Sequence, residues 1–274
     1  MTATGTARVP GTATIVSLAD RPDLAAAVPG VLASRWPAYL LEGRPGHDAD
    51  LIGLLLDAAE HQVVLVDAAD RVLAVGLSVP LDWDGTVAGL PAGWDGAVDR
   101  AARLVAQGGT PDAVCALSIT IVPEAAGQGL AAPMVQALKQ AAVRIGAGAL
   151  IAPVRPIRKA EFPLVPMQEY VEWRTRSGDV FDPWLRLHLR LGARQLGIAA
   201  SSMTVTGTVA NWERWTGLPL HRSGLHVIPG GLVPLLVDER TGAGWYHEPN
   251  VWVAHPCRND PPGYDPAFAG RSNR

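Results

Sequence analysis

Cysteine is scarce in this chain. Cys115 and Cys257 are the only two, so no disulfide framework can staple it. Cys115 sits in an apolar run and reads as a small buried hydrophobe. No stretch approaches the roughly 20 apolar residues of a membrane-spanning helix. Residues 1–14 carry Arg8 alone as a charge and lack the basic-then-apolar layout of a secretory leader. A surplus of charge is missing too. The net charge of −3 argues against general nucleic-acid binding, which needs a basic surface. The expectation is a cytoplasmic protein whose partners include neither membrane nor nucleic acid. What is present is 274 residues, 48% hydrophobic and 18% charged, enough for a sizeable core in one or two domains.

The most informative segment is Ser118 to Ala131. An apolar, β-branched strand (Val114, Ala116, Leu117, Ile119, Ile121) stops at Pro123, and glycines follow at 127 and 129. A helix then starts at about Leu130, with Met134, Val135, Leu138, Ala142 and Ile145 at the spacing of one apolar face. It ends at Gly146 and Gly148, and a second apolar strand runs from Ala149 to Val154. A strand that passes through a glycine turn into a helix N-terminus makes an anion site. The first amides of the helix have no intrahelical partner, and the helix dipole adds positive potential. Glycine lets that backbone turn tightly and approach a phosphate without a Cβ in between.

Residues 123–131 (Pro-Glu-Ala-Ala-Gly-Gln-Gly-Leu-Ala) resemble the acyl-CoA loop of the GNAT superfamily of N-acetyltransferases. The family pattern is Arg or Gln, any two residues, Gly, any residue, then Gly or Ala. Gly129 and Ala131 match it, and Ala126 stands where Arg or Gln is usual. The resemblance implies an acyl-CoA co-substrate, expected to be acetyl-CoA, and no metal. The amides of Ala126, Gly127, Gln128, Gly129, Leu130 and Ala131 would hold its pyrophosphate. Ile119 and Ile121 would pair their backbone with the pantetheine arm, where a backbone N–H would polarise the thioester.

The remaining elements follow the family's order. A strand is expected over Thr12 to Ala19, helices over Asp23 to Leu41 and Asp48 to Glu60, and a hairpin over Gln62–Val66 and Arg71–Val79. A loop over Leu81 to Gly96 leads to a short helix over Ala97 to Gln107. Closing strands are read at Gln195–Ile198 and Met203–Val209. The implied fold is α/β, a central mixed and mostly antiparallel sheet flanked by helices, with a C-terminal β-hairpin extension. Its parts are a disordered lead (1–11), the acyltransferase domain (12–217), an acceptor-side insertion (155–180), the β extension (218–258) and a flexible tail (259–274).

Asp182 as N-cap, Pro183 at the first helical position and Gly192 past the end define a short helix. In the family's pattern for this helix, Leu187, His188 and Gly192 align with Leu, Tyr and Gly, whereas Phe181, Trp184 and Ala193 replace Asn, Ala and Phe. The family's tyrosine often protonates the departing thiolate, so the resemblance puts His188 in the place of that acid. With a thiol near pKa 8.5 and an imidazole near 6.5, transfer from an imidazolium would be downhill by about 2.7 kcal/mol. The other reading of His188 is a half-buried ring packed on Trp184.

The insertion concentrates cations and aromatics. It holds Lys159, one of the chain's two lysines, and Arg158, Tyr170 and Trp173 are the candidate substrate contacts. These would suit a carboxylate or phosphate on the acceptor; the alternative is a lid that covers the core. The strand from Ser118 to Val122 has no carboxylate, so Glu161 is the candidate base, with Glu169 and Asp182 beside it. An acceptor that is already neutral would need none. The histidines of the extension, His221, His226 and His247, match no standard zinc spacing. The function these readings imply is N-acyl transfer to a small-molecule amine by direct attack in a ternary complex, and a homodimer is compatible with it. The alternatives are a transferase fed by a carrier-protein thioester and a non-catalytic acyl-CoA-binding protein.

Overall fold

The computed structural model describes residues 13–257; the expected lead (1–11) and tail (259–274) lie outside the described residues. Strand β1 (Thr14–Ser17) is followed by a 3-10 turn and the short helices α1 (Val28–Ala33) and α2 (Ala38–Glu42). The single helix expected over Asp23 to Leu41 is thus divided. Pro37 has no N–H to give and disfavours helical geometry in Trp36 before it, so the chain breaks there. After a two-residue strand β2 (Arg44–Pro45) comes α3 (Leu51–Asp57), whose cap is Asp50 rather than Asp48. Strands β3 (Val63–Val66) and β4 (Val72–Leu81) form the expected hairpin. Helix α4 (Trp94–Ala106) starts three residues earlier than its sequence suggests, because Ser202 Oγ accepts the amide of Trp94.

The central unit matches the sequence closely: β5 (Ala113–Ile121), the glycine turn, α5 (Ala131–Arg144) and β6 (Ala149–Val154). Helix α5 lies tightly on the sheet at Gly76, where a Cβ would come within 2.7 Å of Val63 and 3.3 Å of Leu138. The insertion contributes α6 (Met167–Tyr170), and α7 (Pro183–Arg190) begins at Asp182 as expected, with the carboxylate accepting from the amides of Trp184 and Leu185. The two expected closing strands are one long bulged strand, β7 (Arg194–Thr208), followed by α8 (Val209–Thr216).

The C-terminal residues hold β8 (Gly224–His226), β9 (Leu235–Asp238) and β10 (Ala243–Pro256). The hairpin is present as β9–β10, but its second strand is not peripheral. The sheet order is β1-β3-β4-β5-β6-β10-β7-β2, with β8 and β9 branching from β10. Val251–Pro256 therefore fills the slot between β6 and β7. Val251, Trp252, Val253 and Ala254 are all buried, as a strand covered on both faces must be.

One irregularity of the sheet creates the site. β5 and β6, its parallel pair, are bonded only from Ala113–Ala149 to Cys115–Ile151. Beyond that β6 stays with β10 and β5 stays with β4. A bulge at Leu117, opposite the Leu77–Ser78 step, bends β5 away. The two strands splay apart and a cleft opens between them.

Candidate active site

The cleft encloses about 550 Å³. One wall is β5 from Ala116 to Ile121, ending against Ala131 at the start of α5, and the other is β6 from Ala152 running into Arg155. Trp94, Met203 and, from α7, Trp184 and His188 also line it. The indole N–H of Trp94 donates to the bulged Leu117 carbonyl at 3.0 Å, which fixes that carbonyl away from solvent.

The glycine turn is open as expected except at Ala126, whose amide is already bonded to the Pro123 carbonyl at 3.1 Å and is not available to an anion. Gly127 and Gly129 have φ of 78° and 76°, and a Cβ built on either would meet no atom within 4 Å. The amides of Gly127, Gly129 and Leu130 have no acceptor among the described residues. The turn is open on the side where an anion would come, so the residues present fit a diphosphate.

His188 lines the cleft, but not as an acid. Its ring is buried, edge-on to Trp184, and its Nδ1 lies 2.9 Å from Nε2 of His255. Burial, reinforced by His255, holds its pKa down to about 3. Burial, with Lys139 as the second cause, holds His255 at about 4. One ring donates the shared proton and the other accepts it, and neither is an imidazolium near neutral pH. The pairing corrects the expectation that a charged His188 faces the thiolate. It also has a consequence for stability. Free histidines take up their proton near 6.5, so between that value and 4 the unfolded chain binds protons that the folded chain refuses. Stability is complete above about pH 6.5 and falls as the pH drops, on the order of 2 kcal/mol for each ring by pH 5. Melting curves of the double variant His188→Gln/His255→Gln should show a flatter dependence between pH 7 and 4.5. An equally steep one would mean that the pair does not titrate there.

The insertion is built into the core and none of its candidate contacts lines the cleft. Tyr170 is 1% exposed and donates to Asp182 at 3.0 Å. Trp173 packs edge-on against Phe162 and Phe181. Arg158 lies over Phe181 and pairs with both oxygens of Glu161 at 2.9 and 2.6 Å. That pair holds Glu161 below the usual carboxylate range, out at the surface and turned to Arg158 rather than to the cleft. Lys159 is buried and donates to the carbonyls of Phe162 and Leu232. Lys159 ties the insertion to the segment before β9, and the aromatics pack among themselves and on Phe181, the arrangement of the lid that was the alternative to an acceptor pocket.

No carboxylate lines the cleft among the described residues. Asp95 is buried, and burial pushes it up to about 6, but it accepts from the amide of Thr204 and faces away. Two residues that the sequence did not single out do line it, Arg155 and Asn250. Arg155 donates to the fully buried Glu248 at 2.8 Å and to the Gly230 carbonyl. Glu248 also accepts from the Tyr246 hydroxyl at 2.7 Å and from Nδ2 of Asn250. That Nδ2 donates to the Pro249 carbonyl as well, which fixes the orientation of the amide and leaves Oδ1 without a partner. These contacts span about 95 residues of sequence and carry no local pattern.

No family model matches the chain. It is 32% identical over 252 residues to the arginine N-acetyltransferase avaD of Aspergillus versicolor, covering 82% of this chain and 86% of that protein. Its fold is similar to the loading GNATL domain of CurA from Lyngbya majuscula (TM-score 0.56, 15% identity, 90% of this chain and 98% of that one). It is also similar to the GphF GNAT-like decarboxylase in complex with isobutyryl-CoA (TM-score 0.52, 19% identity, 89% and 99%). With the splayed strands, the open glycine turn and a relative of this identity along most of its length, the chain belongs to the GNAT superfamily of N-acetyltransferases.

Proposed function

We propose that this acyltransferase moves the acetyl group of acetyl-CoA to a small-molecule amine by direct attack in a ternary complex. The observation that carries the reading is the cleft between β5 and β6, which reaches Ala131 at the start of α5, next in sequence to the open turn at Gly127–Gly129. The turn and the first amides of α5 would hold the diphosphate. The cleft-facing backbone of Ile119 and the amide of Ile121, whose carbonyl already accepts from Arg35, would pair with the pantetheine arm, and an amide there would polarise the thioester carbonyl. The amine would then attack from the Arg155–Asn250 side. The relative's name makes L-arginine the first acceptor to try. Thiol release from acetyl-CoA over an amine panel that includes arginine tests the reading. Turnover supports it, whereas turnover only with a carrier-protein thioester, or binding without turnover, overturns it.

With His188 held near pKa 3 and Glu161 tied to Arg158, the reacting amine arrives as the free base. The value of kcat/KM should therefore rise about tenfold per pH unit until the acceptor's own pKa is reached. The limb should move with the acceptor when amines of different basicity are compared. A limb fixed between pH 6 and 8 for every acceptor would reveal an enzyme base. His188→Ala is expected to lower kcat with little change in acetyl-CoA affinity, through loss of the wall it forms with Trp184, and to leave that pH slope intact.

A further inference from the structure

We propose that Arg35, held at the outer end of β5, grips the diphosphate of the acyl-CoA, and so makes the cationic contact that Ala126 cannot make. The proposal rests on the acyl-CoA reading above.

Three observations carry it. The first is position. The break at Pro37 sends residues 35 and 36 out of the helical path and across the outer end of β5. There Arg35 Nε donates to the Ile121 carbonyl at 3.0 Å, and the indole N–H of Trp36 donates to Thr120 Oγ1 at 3.1 Å. The Val122 amide bonds to Leu73 of β4, so by the alternation of an antiparallel ladder the Ile121 carbonyl points away from β4 and into the cleft. Arg35 thus lies on the edge along which a pantetheine arm and its diphosphate would run, and it lines the same cavity as Ala131 at the start of α5.

The second is availability. The Nε bond fixes the plane of the guanidinium, yet no acceptor among the described residues takes its two η nitrogens. The other arginine on the cleft, Arg155, is already paired with Glu248. Arg35 is exposed, and its planar fork suits two phosphate oxygens.

The third is charge. The turn from Ala126 to Ala131 contains no cationic side chain. Backbone amides alone would face a diphosphate there, and no acid on the cleft competes for Arg35. The cation is displaced from the loop to the α1–α2 break.

Titration calorimetry of wild type and of Arg35→Ala, with acetyl-CoA, dephospho-CoA and S-acetyl-pantetheine, tests the proposal. Arg35→Ala should weaken acetyl-CoA and dephospho-CoA alike, about 10- to 100-fold, and leave S-acetyl-pantetheine unchanged. Arg35→Lys keeps the charge without the fork and should recover part of the loss. A loss seen with acetyl-CoA but not with dephospho-CoA would assign Arg35 to the 3′-phosphate and overturn the proposal, as would equal affinities of variant and wild type. An equal loss with S-acetyl-pantetheine would mean that Arg35 only shapes β5, and would overturn it too. Wild type that binds no acetyl-CoA at all would instead overturn the acyl-CoA reading.

Discussion

Gly129→Glu is expected to abolish acetyl-CoA binding, with a loss of at least about 100-fold in affinity. Gly129 turns the chain at φ 76°, between the end of β5 and the first amides of α5. A glutamate there would bring a carboxylate into the space proposed for the diphosphate. Two like charges about 4 Å apart repel by about 1 kcal/mol in water and about 4 kcal/mol near a protein surface. Gly129→Ala separates charge from shape. The added Cβ would meet no protein atom within 4 Å, so its cost is the backbone strain of an L-residue at positive φ, about 1 kcal/mol. The alanine variant should bind acetyl-CoA within about tenfold of wild type. Retained affinity in the glutamate variant would refute the cradle.

Glu248→Ala is expected to cost the fold more than any surface change. Glu248 is fully buried and accepts from Arg155, Tyr246 and Asn250 together. Removing it strands the Tyr246 hydroxyl and the Arg155 Nε–H and leaves the Arg155 charge without its partner, although the 31% side-chain exposure of Arg155 offers some relief. Breaking one side of a buried ion pair typically costs about 3–5 kcal/mol. Near 4 kcal/mol, the melting temperature of a chain this size would fall by about 8–16 °C. Glu248→Gln keeps an acceptor for Tyr246 and should lose less. A drop of under about 2 °C for the alanine variant would mean that the network contributes little to stability.

The elements that could be read from the chain are those whose causes lie within a few residues. β5, the glycine turn, α5 and β6 are contiguous, so strand pattern, positive-φ glycines and helical spacing all sit in one stretch. The cap at Asp182 is equally local, since a side chain two residues away supplies the bond. Where the reading departed from the structure, the cause lay far away in sequence. α4 begins early because of Ser202, 108 residues on. Tyr170 and Trp173 carry the composition of a binding site, but Phe162, Phe181 and Asp182 enclose them. His188 aligns with a family acid, yet burial in the folded core, with a histidine 67 residues later beside it, keeps it neutral.

The sequence by itself determined the family resemblance, the glycine turn between β5 and α5 and the order of the main elements, because backbone propensity and spacing are local. The tertiary structure alone decided the rest. It set β10 between β6 and β7, splayed β5 from β6 into a cleft, paired His188 with His255 and Arg155 with Glu248, and brought Arg35 to the edge of β5. Protonation and accessibility follow from burial and from neighbours across the fold, and those exist only once the sheet has closed.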